Sequence, residues 1–294
     1  MKCGFASIIG VPNAGKSTLI NQILGFKLAI TSKKPQTTRQ RILGIYSDKE
    51  MQAILLDSPG IHPSTKLLNK FMQQATVGVI NESDIVLFLH DSATKISSIN
   101  NLLPFISQLN KPIILVLNKI DLIKPKDRFL PLIEQVNKLY KWEHIIPVSA
   151  KNGNNISELL KYIKQLLPDG PFLFPADEIT DLSERFLASE LIREKIIRNT
   201  AKELPYSTAV TIDEFRESTP ENATIFVQAT IHVERESQKA IIIGKQGLKL
   251  KQIGSLARID LERLLANNVF LRLHVKVDPK WTQSNFGLQR LGYE

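Results

Sequence analysis

Gly10-Val11-Pro12-Asn13-Ala14-Gly15-Lys16-Ser17 stands between an apolar run, Gly4 to Ile9, and a helix-like stretch, Thr18 to Leu24. A strand, a G-x-x-x-x-G-K-S loop and a helix in that order is the setting in which a glycine-rich turn holds phosphate. Glycines at both ends let successive backbone N–H groups curl around phosphate oxygens. Lys16 can neutralise the β and γ phosphates, and the Ser17 hydroxyl can ligate magnesium. Gly10 through Thr18 are therefore candidate nucleotide contacts, with Lys16 also a candidate catalytic group. The loop does not name the base.

Pro112 to Leu117 reads as a buried strand ending in Asn118-Lys119-Ile120-Asp121, an N-K-x-D tetrad. Asp121 can accept from the N1–H and the 2-amino group of guanine, and adenine offers neither donor there. A buried acceptor left unpaired by the wrong base is what makes such a site selective. Asn118 can brace the local loops, and the Lys119 stem can lie along the ring. A further loop, Val148-Ser149-Ala150-Lys151, follows the strand-like Ile145 to Val148 and can supply a backbone N–H to the guanine oxygen. GTP is expected rather than ATP.

Two more segments supply moving parts. Met51 to Leu56 reads as a strand ending in Asp57-Ser58-Pro59-Gly60, a D-x-x-G in which Asp57 reaches magnesium through water and the Gly60 N–H reaches the γ-phosphate. Thr31 to Gln40 is polar and aperiodic, and a threonine there, Thr37 or Thr38, can complete the metal shell. Loss of the γ-phosphate would release both segments. Ile61 follows the D-x-x-G, where Ras-like GTPases carry a water-orienting glutamine, and an isoleucine cannot hydrogen-bond water. Asn13 is a candidate potassium ligand that would place positive charge near the phosphates, with bracing of the loop as its alternative role.

The chain has 294 residues with 43% hydrophobic content, enough for one α/β domain and a smaller companion. A single cysteine, Cys3, excludes an internal disulfide framework and is expected to pack in the first strand. No apolar run is long enough to span a bilayer, and Met1 to Val11 leads straight into the phosphate loop rather than forming a signal sequence. A reducing, cytoplasmic setting follows.

The net charge of +9 is uneven. Residues 171–294 carry 17 basic and 17 acidic side chains, and residues 1–170 carry 21 and 12. Global charge therefore does not locate a nucleic-acid site. Lys239, Lys245, Lys249, Lys251 and Arg258, by contrast, fall between Ser237 and Ile259 with no acidic residue among them.

Alternating strand-like and helical runs up to Leu166 predict a mostly parallel, doubly wound α/β sheet with all nucleotide loops on one rim. Leu167-Pro168-Asp169-Gly170-Pro171 marks the division. The boundaries read as a nucleotide domain at 1–168, a linker at 169–181 and a smaller α+β domain at 182–294. In that second domain the predicted order is a helix from Leu182 to Arg198, strands at Ser207–Phe215 and Thr224–Val233, helices at Ser237–Ile243 and Leu248–Leu265, and a strand at Phe270–Val277. Gly244-Lys245-Gln246-Gly247 then sits between two helices. Two glycines let a nucleic-acid backbone approach, and Lys245 with the helix ends offers charge and N–H groups to phosphate, as in a type II KH module. The RNA-binding candidates are Gly244, Lys245, Gln246, Gly247, Lys249 and Lys251. Neighbouring isoleucines are expected as an apolar floor for bases, and no aromatic stacking platform is evident.

The whole chain resembles the Era family of bacterial P-loop GTPases with a C-terminal KH domain. The likeness is carried by GVPNAGKST at Gly10, SKKPQTTRQRILGI at Ser32, DSPGIH at Asp57, NKID at Asn118 and VSAKNG at Val148 in the first domain. It continues through GPFLFPADEITD at Gly170, RFLASELIREK at Arg185, ELPYS at Glu203, IIGKQGLKLKQIG at Ile242 and VKVDPKWTQS at Val275. The resemblance implies GTP hydrolysis to GDP as a slow switch, with magnesium held by Ser17, Asp57 and the second threonine, Thr38, and with Lys16, Thr38 and Gly60 as the catalytic set. It also implies contact with 16S rRNA near its 3′ end, a role in 30S subunit maturation, action as a monomer, and loose peripheral membrane contact. Ser58 replaces the family's usual threonine in D-T-P-G, and Ile61 keeps the family's lack of a Ras-type glutamine. An RNA-binding adaptor whose nucleotide is mainly structural, and an ATP-using kinase, are the competing readings.

Overall fold

Long apolar runs become strands buried on both faces, as parallel strands flanked by helices require. The computed structural model describes residues 1–294 except 33, 35–37, 60–66, 101, 125–128, 201–203, 220–222 and 294. It forms two compact units. One comprises Met1–Ala29, Thr38–Ser64 and Phe71–Asp181, and the other Ile30–Thr37, Thr65–Lys70 and Leu182–Glu294.

In chain order the first unit holds β1 (Lys2–Gly10), α1 (Lys16–Leu24), β2 (Ile42–Ser47), β3 (Met51–Asp57), α2 (Leu67–Glu82, with its first turn in the other unit) and β4 (Ile85–Asp91). Two short turns, α3 (Ser97–Asn100) and α4 (Leu103–Ile106), precede β5 (Ile113–Asn118), α5 (Phe129–Asn137), β6 (His144–Pro147) and α6 (Ile156–Leu166). The six strands lie in the order β2-β3-β1-β4-β5-β6, all parallel except the edge strand β2. Every residue of β3 and β5 is buried. Helix α6 shows the complementary pattern, burying Ile156, Leu159 and Ile163 on one stripe, and Pro168 follows its end.

Parallel pairing sets the register at the carboxyl ends. Ile8 faces Asp57, Gly10 faces Leu89, and Asp91 faces Asn118. The phosphate loop, the D-x-x-G start and the N-K-x-D loop therefore emerge along one rim, where open α/β sheets bind ligands. Beneath it lies a core in which Phe88 stacks on Trp142 at 5.9 Å and the Trp142 indole N–H donates to the Val136 carbonyl. Cys3 is buried in β1 beside Leu43 and Ile54, as expected of a small hydrophobe.

The second unit contains α7 (Glu184–Asn199), β7 (Ala209–Arg216), β8 (Thr224–Val233), α8 (Glu236–Ile243), α9 (Leu248–Leu265), β9 (Asn268–Val277) and α10 (Asn285–Arg290). The α-β-β-α-α-β order is that of the type II KH topology, extended by α10, which the sequence reading did not include. Strands β7 and β8 pair antiparallel, β8 and β9 parallel. Ile192 and Ile196 of α7, Ile242 of α8, and Ile253 and Ala257 of α9 pack on Ala229, Ile231, Val233 and Val275 of the sheet. Alternate side chains of β8 and β9 point into this core, so the opposite set forms the other face.

Candidate functional site

Gly10 and Gly15 are glycine for steric reasons. Gly15 has φ 101°, and a Cβ there would lie 2.2 Å from the Asn118 amide nitrogen; at Gly10, with φ 153°, it would lie 2.4 Å from the Leu89 carbonyl oxygen. Gly15 also caps α1 without any side-chain hydrogen bond, which leaves the helix N-terminus to an anion. Lys16 is buried, and its ammonium donates to the carbonyls of Gly10 (3.2 Å) and Val11 (3.4 Å). Burial lowers its pKa, with Asp57 opposing the shift. Phosphate oxygens at this loop would offset that desolvation. Asn13 is exposed with φ 66°, and Pro12 and Val11 are half-buried around it.

A second cluster gathers around Asp57. The Asp57 carboxylate is fully buried at the end of β3, and one oxygen, Oδ2, accepts from Ser17 Oγ at 2.9 Å and Thr38 Oγ1 at 3.2 Å, which are 3.1 Å from each other. Its other oxygen, Oδ1, is buried without a hydrogen-bond partner among the described residues. Burial raises the Asp57 pKa, while Lys16, the two hydroxyls and the Ser58 amide pull it down. Two hydroxyls gathered on one oxygen of a buried carboxylate whose other oxygen has no partner among the described residues make a hard-oxygen donor set that fits magnesium. Ser58 is buried next to it, its hydroxyl donating to the Ile8 carbonyl at 2.9 Å, and Pro59 accepts from Thr76 Oγ1.

Asn118 ties the base end to the phosphate end. Its amide donates to the Ala14 carbonyl at 2.9 Å, and its Oδ1 accepts from the amides of Lys119 and Ala150. Ser149 Oγ donates to Asp121 Oδ1 at 2.7 Å, which orients that carboxylate from the neighbouring loop. Lys119 has φ 65° and its ammonium pairs with Asp91 at 2.6 Å. Asp91 was absent from the sequence expectations; the signal for it was its place at the end of the strand that pairs with Ile113–Asn118. Ile120 begins a short 3-10 turn, and Lys151 is exposed beyond Ala150. Thr37, Gly60 and Ile61 lie outside the described residues.

In the second unit, Gly244 (φ 71°), Gln246 (φ 49°) and Gly247 (φ 74°) form the sharp link between α8 and α9, with Lys245 and Gln246 exposed at its tip. A Cβ at Gly247 would meet nothing within 4 Å, so that backbone is open to approach. From it runs a groove between Lys251, Gly254 and Arg258 of α9 and Leu271 and Leu273 of β9. Lys249 stands half-buried in the first turn of α9. The isoleucine floor expected here is met only in part: Ile242 turns into the core and Ile243 packs against it, Ile241 stays exposed, and the apolar wall of the groove is Leu271 and Leu273. Consecutive positions on a helix point in different directions, so one face cannot present all three isoleucines. On the face of the sheet away from this groove, Phe226 stacks with Phe270 across β8 and β9.

Comparison with known proteins agrees along the chain. Residues 5–119 match the family described as 50S ribosome-binding GTPase, and residues 203–282 match the KH domain. GTPase Era of Trichlorobacter lovleyi is 47% identical over 293 residues, covering 100% of this chain and 98% of that protein. GTPase Era of Coxiella burnetii is 45% identical over 99% of this chain and 98% of its own length. Among solved structures, a single-residue variant of Aquifex aeolicus Era bound to GDP and AlF4− superimposes with a TM-score of 0.95 at 42% identity, covering 100% of this chain and 99% of that one. Era in complex with MgGDPNP and nucleotides 1506–1542 of 16S ribosomal RNA matches with the same score, identity and coverage. No helix among the described residues is long and apolar enough to cross a membrane.

Proposed function

This chain belongs to the Era family of GTPases, and we propose that it is a magnesium-dependent GTP-hydrolysing switch that binds the 3′ region of 16S rRNA through its KH domain and assists maturation of the 30S subunit in the cytoplasm. The observation that carries this reading is the Asn118 bridge, which holds the N-K-x-D loop, the phosphate loop and the Ser149-Ala150 turn together. Guanine recognition by Asp121 and phosphate recognition by Gly10–Ser17 are then parts of one site. The relative solved with MgGDPNP and a 16S fragment supports the same pairing of ligands. The description of the matching GTPase family speaks of the 50S particle. The full-length relative is the closer guide, because its likeness covers both domains.

Ser17, Thr38 and Asp57 would hold the metal, which when bound neutralises charge on the β and γ phosphates. Lys16 supplies the fixed positive charge, and the α1 N-terminus supplies N–H groups. Gly60 is assigned to the γ-phosphate and Asn13 to a potassium ion. Gly244–Gly247, Lys249 and Lys251 are assigned to the RNA backbone. Ile61 favours a second reading, an RNA-binding adaptor with structural nucleotide. GTP turnover with and without RNA and potassium, in the intact protein and in Lys16→Ala, separates them. Stimulated turnover that disappears in the variant supports the switch, and equal RNA affinity of the GDP and GTP forms refutes it.

A further inference from the structure

The KH sheet has two faces, and one of them packs against α7, α8 and α9. On the other, register places Arg216, Phe226 and Phe270 side by side in one row across β7, β8 and β9, and Glu214, Gln228 and Arg272 in the next. The rings of Phe226 and Phe270 lie nearly parallel, 11° apart with centroids at 5.7 Å. The Arg216 guanidinium sits 4.4 Å from the Phe226 centroid and that of Arg272 5.6 Å from it. Phe270 is 53% exposed. The opposite end of this face is closed, where His232 contacts Asp278 and Asp278 pairs with Arg290 of α10. An exposed aromatic pair at one end of a face whose other end meets the chain's own C-terminal segment is the feature that calls for a partner.

We infer that this Phe226–Phe270 end is a second RNA contact, on which an unpaired nucleobase stacks against Phe270 while Arg272 meets a phosphate. The charge favours nucleic acid: Arg272, His274 and Lys276 are exposed along β9, Arg272 makes no ion pair among the described residues, and Glu214 already pairs with Arg216. Exposed aromatic rings flanked by guanidinium groups are how proteins hold single strands without reading sequence. The face is also continuous with the KH groove, because Leu271 and Leu273 line that groove while Phe270 and Arg272, alternating with them on the same edge strand, point to the open side. A strand leaving the groove over β9 meets Phe270 next. The inference rests on the proposed RNA binding by the KH domain.

The test is a fluorescence anisotropy titration of the full chain with labelled RNA of nucleotides 1506–1542 of 16S rRNA. Phe270→Ala should weaken binding about tenfold, Phe270→Trp should keep it, and Arg272→Gln should weaken it with a shallower salt dependence. Melting curves should show every variant folded, with Arg272→Gln at the wild-type temperature and Phe270→Ala slightly below it for the lost stack on Phe226. Lys251→Glu, in the groove, is the control. If Lys251→Glu loses affinity while Phe270→Ala and Arg272→Gln bind as wild type, the second contact is wrong and the KH reading stands. Wild-type affinity in all of them would overturn both. Loss of 30S co-sedimentation by Phe270→Ala at unchanged RNA affinity would mark the face as a protein-docking surface and refute the RNA assignment.

Discussion

The Asn118 side-chain amide donates to the Ala14 carbonyl at 2.9 Å, fastening the end of β5 to the phosphate loop 104 residues earlier. Its oxygen takes the buried Ala150 amide and the Lys119 amide, so one side chain satisfies three backbone groups. Asn118→Ala should therefore destabilise the nucleotide-free protein by about 2–4 kcal/mol, since two of those groups belong to buried residues left without a partner. Urea unfolding followed by tryptophan fluorescence measures this, and nucleotide affinity should fall with it.

Asp121→Asn addresses the base alone. The Ser149 hydroxyl can still donate to the amide oxygen, so the loop keeps its shape. The pair of acceptors for guanine is lost, at about 3 kcal/mol or ~100-fold in GTP affinity. Displacement of a fluorescent GDP by GTP, ATP and XTP should show GTP losing its advantage. An unchanged ranking would mean that the base is read elsewhere.

Asp57→Asn separates metal binding from folding. Burial raises the Asp57 pKa, so its charged form costs stability at any pH above that pKa, and the cost disappears once the group is protonated. The nucleotide-free variant should melt above wild type at pH 7.5, with the gap closing as the pH is lowered. The added stability that magnesium and GTP confer on the wild type should be lost in the variant. Scanning calorimetry over a pH series with and without the ligands reads both effects.

Two histidines make the fold acid-sensitive. His90 is 1% exposed, its Nε2 is buried without a hydrogen-bond partner among the described residues, and burial lowers its pKa against the pull of Asp91. Burial likewise lowers the pKa of His232, against its bond to Asp278. A histidine held neutral binds fewer protons in the fold than in the unfolded chain, so stability is full above about pH 6.5 and is lost as the pH falls toward the folded-state pKa. His90→Leu should flatten that decline. Urea midpoints at pH 7.5 and 5.5 for wild type and variant provide the check.

Gly15→Ala should cost at least about 1–3 kcal/mol for its left-handed φ alone, and more for the contact with Asn118. Nucleotide affinity should drop further, because the phosphate loop and the N-K-x-D loop must part to admit the methyl group. Calorimetric titration with GDP gives the affinity.

The convergence of the candidate nucleotide motifs was legible in the chain because each sits at a strand end, and parallel pairing carries strand ends to a common rim whatever lies between. Gly15, Lys16, Asp57 and Asn118 needed only that rule. Asp91 was not legible, since a carboxylate after a buried strand is ordinary and only the Asp91–Asn118 register puts it beside Lys119. The leucine wall of the KH groove was hidden for a similar reason. Leu271 and Leu273 read as plain strand residues until α9 packs against β9. Helix α10 is six residues long, too short for a periodic signal.

Local chemistry was therefore enough to predict, from the residues alone, places for a triphosphate, a guanine and an RNA backbone: glycine, lysine and aspartate at fixed spacing act through backbone and charge they carry themselves. The tertiary structure decided what depends on residues far apart in the chain. It left one oxygen of Asp57 without a hydrogen-bond partner among the described residues, made Asn118 the bridge between two loops, and set Phe226 beside Phe270 on the face of the sheet away from the KH groove. Burial and register are properties of the packed sheet, and no stretch of sequence contains them.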